Sequence, residues 1–457
     1  MRIILLSSII LLSGALLSAQ ETKVTKLSLQ ECVQMAIERN INVQSTRLDK
    51  DKSGHKVSET RAALLPKINI NGSFTDHIEK SVTLLPGEIV GRPGTSIAAE
   101  MGTQFNASAG IAINQVLYNQ TALTALKLSK KMESMSSLSV EKASEELAAE
   151  VSKLYFLALT TAKQKTLVEE NIARTKRLSN IVKILVDNGM GKEVDYQRIS
   201  VSMENLYTHL SNTDAALEQQ LNMIRYMLVI PIEENIMLTD TAEMPLLLHT
   251  SMIKSDFSDH IDIQLLESQK EINLLNTKMI NAGYLPTLSF VGQYAYQGYR
   301  EDFKNYFQSS PENKWYSSSY IGVSLSIPVF DSFDKRSKSR QAKLDYQKTM
   351  LRIDDTKERF GVNYQNALNN YQNHKTNVER QKKNIELAEK VYQETALKYR
   401  EGLATMSDVL QDEMSLSSAQ SAYLSALYNY KEAELNIMSL TGEIRRLIKN
   451  LKKQLLN

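Results

Sequence analysis

The chain has 457 residues with 54 Lys and Arg against 52 Asp and Glu, a formal net charge of +2, so no basic footprint for nucleic acid exists and no such partner is expected. Hydrophobic residues at 42% and charged residues at 23% are ordinary globular values, which excludes wholesale disorder and an inner-membrane helical bundle. The 17 glycines and 8 prolines are about half the usual share and predict long uninterrupted elements, while the single Cys32 excludes an intrachain disulfide and a multi-cysteine metal site.

In chain order, Arg2, the apolar run Ile3 to Leu17 and the small residues Ser18 and Ala19 before Gln20 have the pattern of a secretory signal over 1–19. The run is short for a spanning helix. Gln20 stands where a lipoprotein signal needs cysteine, so no lipid anchor is expected. Beyond it, Ser28 and Glu31 form a capping box for a short helix ending near Asn40. Cys32 lies inside that helix and reads as a packed small residue.

Two copies of one unit follow. The segment Asn40 to Asn69 aligns with His260 to Ser289 at a constant offset of 220, matching Ile41 with Ile261, Gln44 with Gln264, and Leu65-Pro66 with Leu285-Pro286. Gly110 to Asn119 aligns with Gly322 to Asp331 at offset 212, and Gly189 to Asp195 with Gly402 to Asp408 at offset 213.

After Pro66, Ile68, Ile70 and Phe74 alternate with Asn69, Asn71, Ser73 and Thr75, the period of a strand with unlike faces. Phe105 to Asn114 alternates too, as do Leu288 to Gln297 and Tyr320 to Ile327 in the second copy. The polar faces carry Ser, Asn and Gln rather than charges, which suits a water-filled lumen backed by lipid. The alternative is one sheet packed on helices. The segment Val82 to Gly102 reads as a loop, and the second loop carries Tyr299, Phe303, Tyr306, Phe307, Trp315 and Tyr316 as either an interfacial girdle or ordinary loop packing. Four strands cannot close a barrel, so subunits must share one sheet.

No proline falls between Pro93 and Pro231 or after Pro328, so each span is expected to fold as a helical hairpin turning at Gly189 or Gly402. Gln120 to Asp187 and Phe333 to Arg400 each hold 68 residues, rods of about 100 Å. The turns are therefore expected at the end farthest from the strands. Val194 to Val229 and Met406 to Thr441 return. Apolar stripes run through Leu147, Val151, Leu154, Ala158 and Ala162, and through Ala419, Ala422, Tyr423, Ala426, Tyr430 and Ala433. Gly361 interrupts one rod and suggests a kink or a tight contact. The six histidines show no metal-ligand spacing, and no phosphate-binding loop or nucleophile elbow is present, so neither an enzyme nor a cofactor is expected.

The duplicated unit, paired strands, 68-residue rods, Leu-Pro entries, the segment Ile327 to Asp331 (IPVFD), the helix 27–40 (LSLQECVQMAIERN) and the turn 398–411 (KYREGLATMSDVLQ) together resemble the TolC-like outer-membrane efflux proteins of Gram-negative bacteria. The resemblance covers essentially the whole mature chain. It implies an α+β, mainly α fold with four barrel strands and two long helical hairpins per chain, joined as a trimeric β-barrel and α-helical tunnel.

By the same resemblance the chain is a passive conduit in the cell outer membrane, contacting its lipid and reaching into the periplasm. It would partner a periplasmic adaptor and an inner-membrane pump of RND or ABC type. A type I protein secretion duct and a non-channel periplasmic coiled-coil scaffold are the alternatives.

The expected divisions are a signal at 1–19, amino-terminal helices at 20–64, a first strand pair at 65–119 and a first hairpin at 120–229. A linker and helix at 230–284, a second strand pair at 285–332, a second hairpin at 333–441 and a basic tail at 442–457 complete the chain. The family narrows its tunnel with acids after the second Gly turn. Asp408 matches the first such position and Gln411 the second, with Asp412 one place later. Asp195 and Tyr399 match a stabilising tip network, whereas Ala404 stands where the family has arginine. Asp408 is equally a helix N-terminal acid.

Overall fold

The structure is a computed structural model that describes residues 24–246, 257–304, 306–308, 310–311, 313–445 and 448. The expected signal at 1–19 and most of the basic tail lie outside the described residues.

In chain order the elements are β1 (Thr25–Leu27), α1 (Leu29–Arg39), α2 (Ile41–Ala62), β2 (Lys67–Asp76), β3 (Val82–Pro86), β4 (Ser96–Glu100), β5 (Phe105–Tyr118), α3 (Gln120–Asp187) and α4 (Glu193–Leu228). They continue with β6 (Ile236–Leu238), α5 (Ile261–Ala282), β7 (Thr287–Arg300), β8 (Trp315–Ser326), α6 (Asp334–Arg400) and α7 (Met406–Thr441). The duplication is visible element by element: α2 and α5 each span 22 residues, and α4 and α7 each span 36. The chain divides into two compact units, one holding 49–136 and 266–352, the other 1–48, 137–265 and 353–457.

The first unit is built on a four-stranded antiparallel sheet in the order β2-β5-β7-β8. Its register stacks the alternating residues into rows, Ile68 opposite Ile113, Ile113 opposite Gly292 and Gly292 opposite Ile321. Polar residues form the intervening rows: Ser73 and Ser108 are bonded at 2.8 Å, and the Tyr320 hydroxyl donates to Gln293 Oε1 at 3.1 Å. Gly110 is required where β5 meets β7, since a Cβ there would lie 2.6 Å from that of Ala295. The two edges, β2 and β8, have no further strand beside them among the described residues.

Within the segment expected to be a loop, β3 and β4 instead form a hairpin, Leu84 opposite Ala98 and Leu85 opposite Ile97. Pro86 and the single helical turn Gly87–Val90 close it. Phe303 and Tyr306 pack with Phe74 and Phe105, and the buried Tyr306 hydroxyl donates to the Gly298 carbonyl at 2.9 Å. Of these loop rings Tyr306 is buried in loop packing, whereas Phe303, Tyr299, Phe307 and Tyr316 remain exposed.

In the second unit the capping box of α1 is present, with Glu31 N–H donating to Ser28 Oγ at 3.3 Å and Ser28 N–H to the Glu31 carboxylate at 2.8 Å. The apolar core joins Cys32, Ala36 and Val43 to Leu147, Val151, Tyr155 and Phe156 of α3, Ile224 and Leu228 of α4, and Leu435 and Met438 of α7. Burial pushes the Cys32 thiol up to about 12, which leaves it a packed small residue with negligible thiolate. A short parallel pair, β1 with β6, adds strands the sequence pattern does not signal. Tyr155 anchors this corner by donating to the Asp240 carboxylate at 2.8 Å.

Gly361 sits on an exposed face of the unbroken α6, and a Cβ there would meet nothing within 4 Å. Of the two readings, a kink or a tight contact, the second finds no partner within this chain.

Candidate functional site at the helical turns

Both hairpins turn by the same device. At the first, Gly189 has φ 73°; its N–H donates to the Val186 carbonyl at 2.9 Å, and Met190 N–H donates to the Leu185 carbonyl at 2.8 Å. At the second, Gly402 has φ 75°; its N–H reaches the Tyr399 carbonyl at 3.0 Å, and Leu403 N–H reaches Lys398 at 2.8 Å. These nested bonds satisfy carbonyls left over by α3 and α6, and the left-handed residue they need is glycine because it lacks a Cβ.

The copies diverge immediately afterwards. Thr405 caps α7: its hydroxyl accepts from Asp408 N–H at 3.2 Å and donates to the Asp408 carboxylate at 2.7 Å, while Thr405 N–H donates to that carboxylate at 2.9 Å. The Thr405 hydroxyl and then its N–H hold the exposed Asp408 carboxyl below its ordinary range. Lys192 occupies the equivalent place before α4 and makes no side-chain cap. Asp195 is consequently not drawn back. It lies 3.9 Å from the Arg198 guanidinium and close enough to Tyr399 to raise that phenol, after burial as the larger cause.

Asp195 therefore lies within electrostatic reach of Tyr399. Arg198 ties α4 to the start of α7 by donating to Ser407 Oγ at 2.7 Å. Under these groups lies a packed layer of Leu178, Val182, Ile199, Tyr392, Met406, Val409 and Leu416. Gln411 is exposed and Asp412 half-buried on α7.

Sequence reasoning passed over Glu413. It is 5% exposed and is bonded to Thr175 and Ser202. The signal was available: Met406, Val409, Glu413, Leu416 and Gln420 are spaced by three and four, placing Glu413 on the buried stripe of α7.

An antiparallel sheet with apolar rows left open, two long helical hairpins and a duplicated chain define the fold class of outer-membrane channels. Residues 32–228 and 269–443 match the family of the outer membrane efflux protein. The chain belongs to that family, which favours an efflux channel of the outer membrane over the scaffold alternative. It is 20% identical over 434 residues to the outer membrane protein TolC of Escherichia coli (strain K12), covering 91% of this chain and 82% of the relative. The Campylobacter jejuni CmeC outer membrane channel has a similar fold, with TM-score 0.72 at 15% identity, covering 93% of this chain and 89% of that one. The outer membrane protein VceC of Vibrio cholerae gives TM-score 0.70 at 12% identity, covering 91% and 96%.

Proposed function

We propose that the chain is one third of a passive duct in which three copies share a single twelve-stranded barrel and a helical tunnel. The observation that carries this reading is the sheet. Ile70 is 80% exposed, Ile321 81% and Val323 63%, and the rows between hold uncharged residues, Asn69, Ala112, Gln293 and Tyr320 in one and Asn71, Gly110, Ala295 and Ser318 in the next. An open face of this kind is costly in water and suits lipid. Two unpaired edges are costly in lipid, because every backbone group there needs a partner. Joining β8 of one copy to β2 of the next removes the edges. Two copies would give eight strands with a filled interior, and three leave an open lumen.

In this reading the Gly189 and Gly402 turns are the periplasmic gate end, where Asp408, Gln411 and Asp412 repeat around the threefold axis and Asp195 with Tyr399 holds neighbouring helices. A periplasmic adaptor and an inner-membrane pump supply cargo and energy. Small-molecule efflux is favoured over protein secretion by the family match. The test is native mass measurement in mild detergent followed by planar-bilayer conductance. Trimers that conduct are expected, and a stable monomer, or trimers that never conduct, would refute the duct.

A further inference from the structure

Between α3 and α7 a line of polar contacts crosses otherwise apolar packing. Gln164 donates to Ser421 Oγ at 3.1 Å, Asn171 to Gln420 Oε1 at 3.1 Å, and Thr175 Oγ1 to Glu413 Oε1 at 2.5 Å. Ser202 of α4 reaches the second oxygen of Glu413 at 3.4 Å. One buried carboxylate therefore touches three helices, about two turns into α7.

Its environment is unusual for a charge. Among the described residues Glu413 makes no ion pair. Arg174 of α3 is near, but it donates to Asn171 Oδ1. The other titratable or charged groups around it are Tyr392 of α6, on which its charge acts, and Arg198 and His209 of α4, which line the same groove of about 800 Å³. Two hydroxyls are the carboxylate's direct donors. Burial of a carboxylate without a countercharge is unfavourable, and hydroxyl donors offset only part of that.

We infer that Glu413 is the positioning residue that seats the start of α7 against α3 and α4, and that gain or loss of its proton tightens or loosens this seat. The inference rests on the duct reading above. α7 carries Asp408, Gln411 and Asp412 in its first two turns, so its seating sets where those side chains stand.

The sign follows from the environment. Burial, the largest influence, raises the Glu413 carboxyl, and Thr175, Ser202 and Arg174 oppose it more weakly. A carboxyl that binds its proton more tightly when packed favours the packed arrangement fully below its lower, unpacked-state pKa, and that advantage is lost as pH rises from there through the packed-state value. Lowering the pH therefore tightens the seat, and raising it loosens the seat.

Two readouts test this on the full chain between about pH 8 and pH 5: single-channel conductance, and amide hydrogen-exchange protection over residues 406–416 corrected for intrinsic rates. In the wild type, protection should rise about threefold or more on acidification while conductance falls. Glu413→Gln, which resembles the protonated form, should hold the acid-like level of both at every pH. Ser202→Ala removes a donor to the charged form and should move the midpoint to higher pH. A wild-type protection profile that is flat, or a Glu413→Gln protein that keeps the wild-type acid step, would overturn the inference even if the protein conducts. Protection that behaves as expected in a protein that never conducts would instead overturn the duct alone.

Discussion

Thr405 and Asp408 hold one another at the start of α7, hydroxyl to carboxylate at 2.7 Å and N–H to carboxylate at 2.9 Å. The first copy has Lys192 at the place of Thr405 and builds no such cap. In the first copy Asp195, three places after Lys192, is left out of any such cap and lies instead 3.9 Å from Arg198, one turn along the same helix.

Replacing Asp408 with Ala removes the carboxylate half of the reciprocal cap, leaving the backbone N–H of residue 408 on the Thr405 hydroxyl, and removes one carboxylate per chain at the proposed gate. Cation selectivity should fall and sensitivity to divalent cations should weaken, with trimer assembly retained. Because Asp408 lies below its ordinary range when folded, its stabilisation is present above the unfolded-state pKa and is lost as pH falls through the lower folded value. Bilayer recordings of wild type and variant in asymmetric salt check the first point. Unchanged selectivity and divalent response would leave Asp408 a helix cap only.

Gly402→Ala should destabilise the second turn by about 1 kcal/mol, because alanine adopts the left-handed region at a cost. Open space surrounds the position, so no steric clash adds to that figure. Chemical denaturation in detergent measures it, and a loss well above 2 kcal/mol would show that the turn is also packed against something else.

Lys431 and Glu434 form a buried ion pair on α7 at 3.0 Å, with side chains 4% and 5% exposed, and the Lys431 ammonium lies over the rings of Phe156 and Tyr430. Lys431→Ala should cost about 3–5 kcal/mol by leaving Glu434 buried and unpaired. Replacing both by leucine should cost much less. Equal losses in the single and double variants would contradict that account.

Much of this fold is legible in the sequence for a physical reason: α3, α4, α6 and α7 all lie within spans free of proline, and the offset of 220 places both Leu-Pro entries immediately before a strand. The hairpin β3-β4 was hidden because Pro86-Gly87 and Pro93-Gly94 read as breakers, although Pro86 only closes a strand and Gly87 begins the turn. The pair β1-β6, with three residues in each strand, is too short to show a period. At the site, Gly189 and Gly402 were legible because glycine takes the left-handed conformation of a helix end without the cost a Cβ adds. Glu413 was not, because a run containing Asp408, Asp412 and Glu413 reads as a solvated first turn until the spacing of Met406, Val409 and Leu416 is laid over it. The proximity of Asp195 to Tyr399 relates residues from different copies, and no local pattern encodes it.

The central claim, that copies share one sheet, is tested most directly by cysteine crosslinking of its edges. With Cys32 replaced by serine, Ser73→Cys on β2 is combined in turn with Ser317→Cys, Ser318→Cys or Ser319→Cys on β8. A disulfide requires Cα atoms about 4.4–6.8 Å apart, so scanning the series allows for an unknown stagger between subunits. Oxidised membranes run on a denaturing gel should give covalent dimers and trimers for at least one pair, with the ladder stopping at three. Monomers throughout the series, or ladders extending beyond three, would contradict the shared barrel.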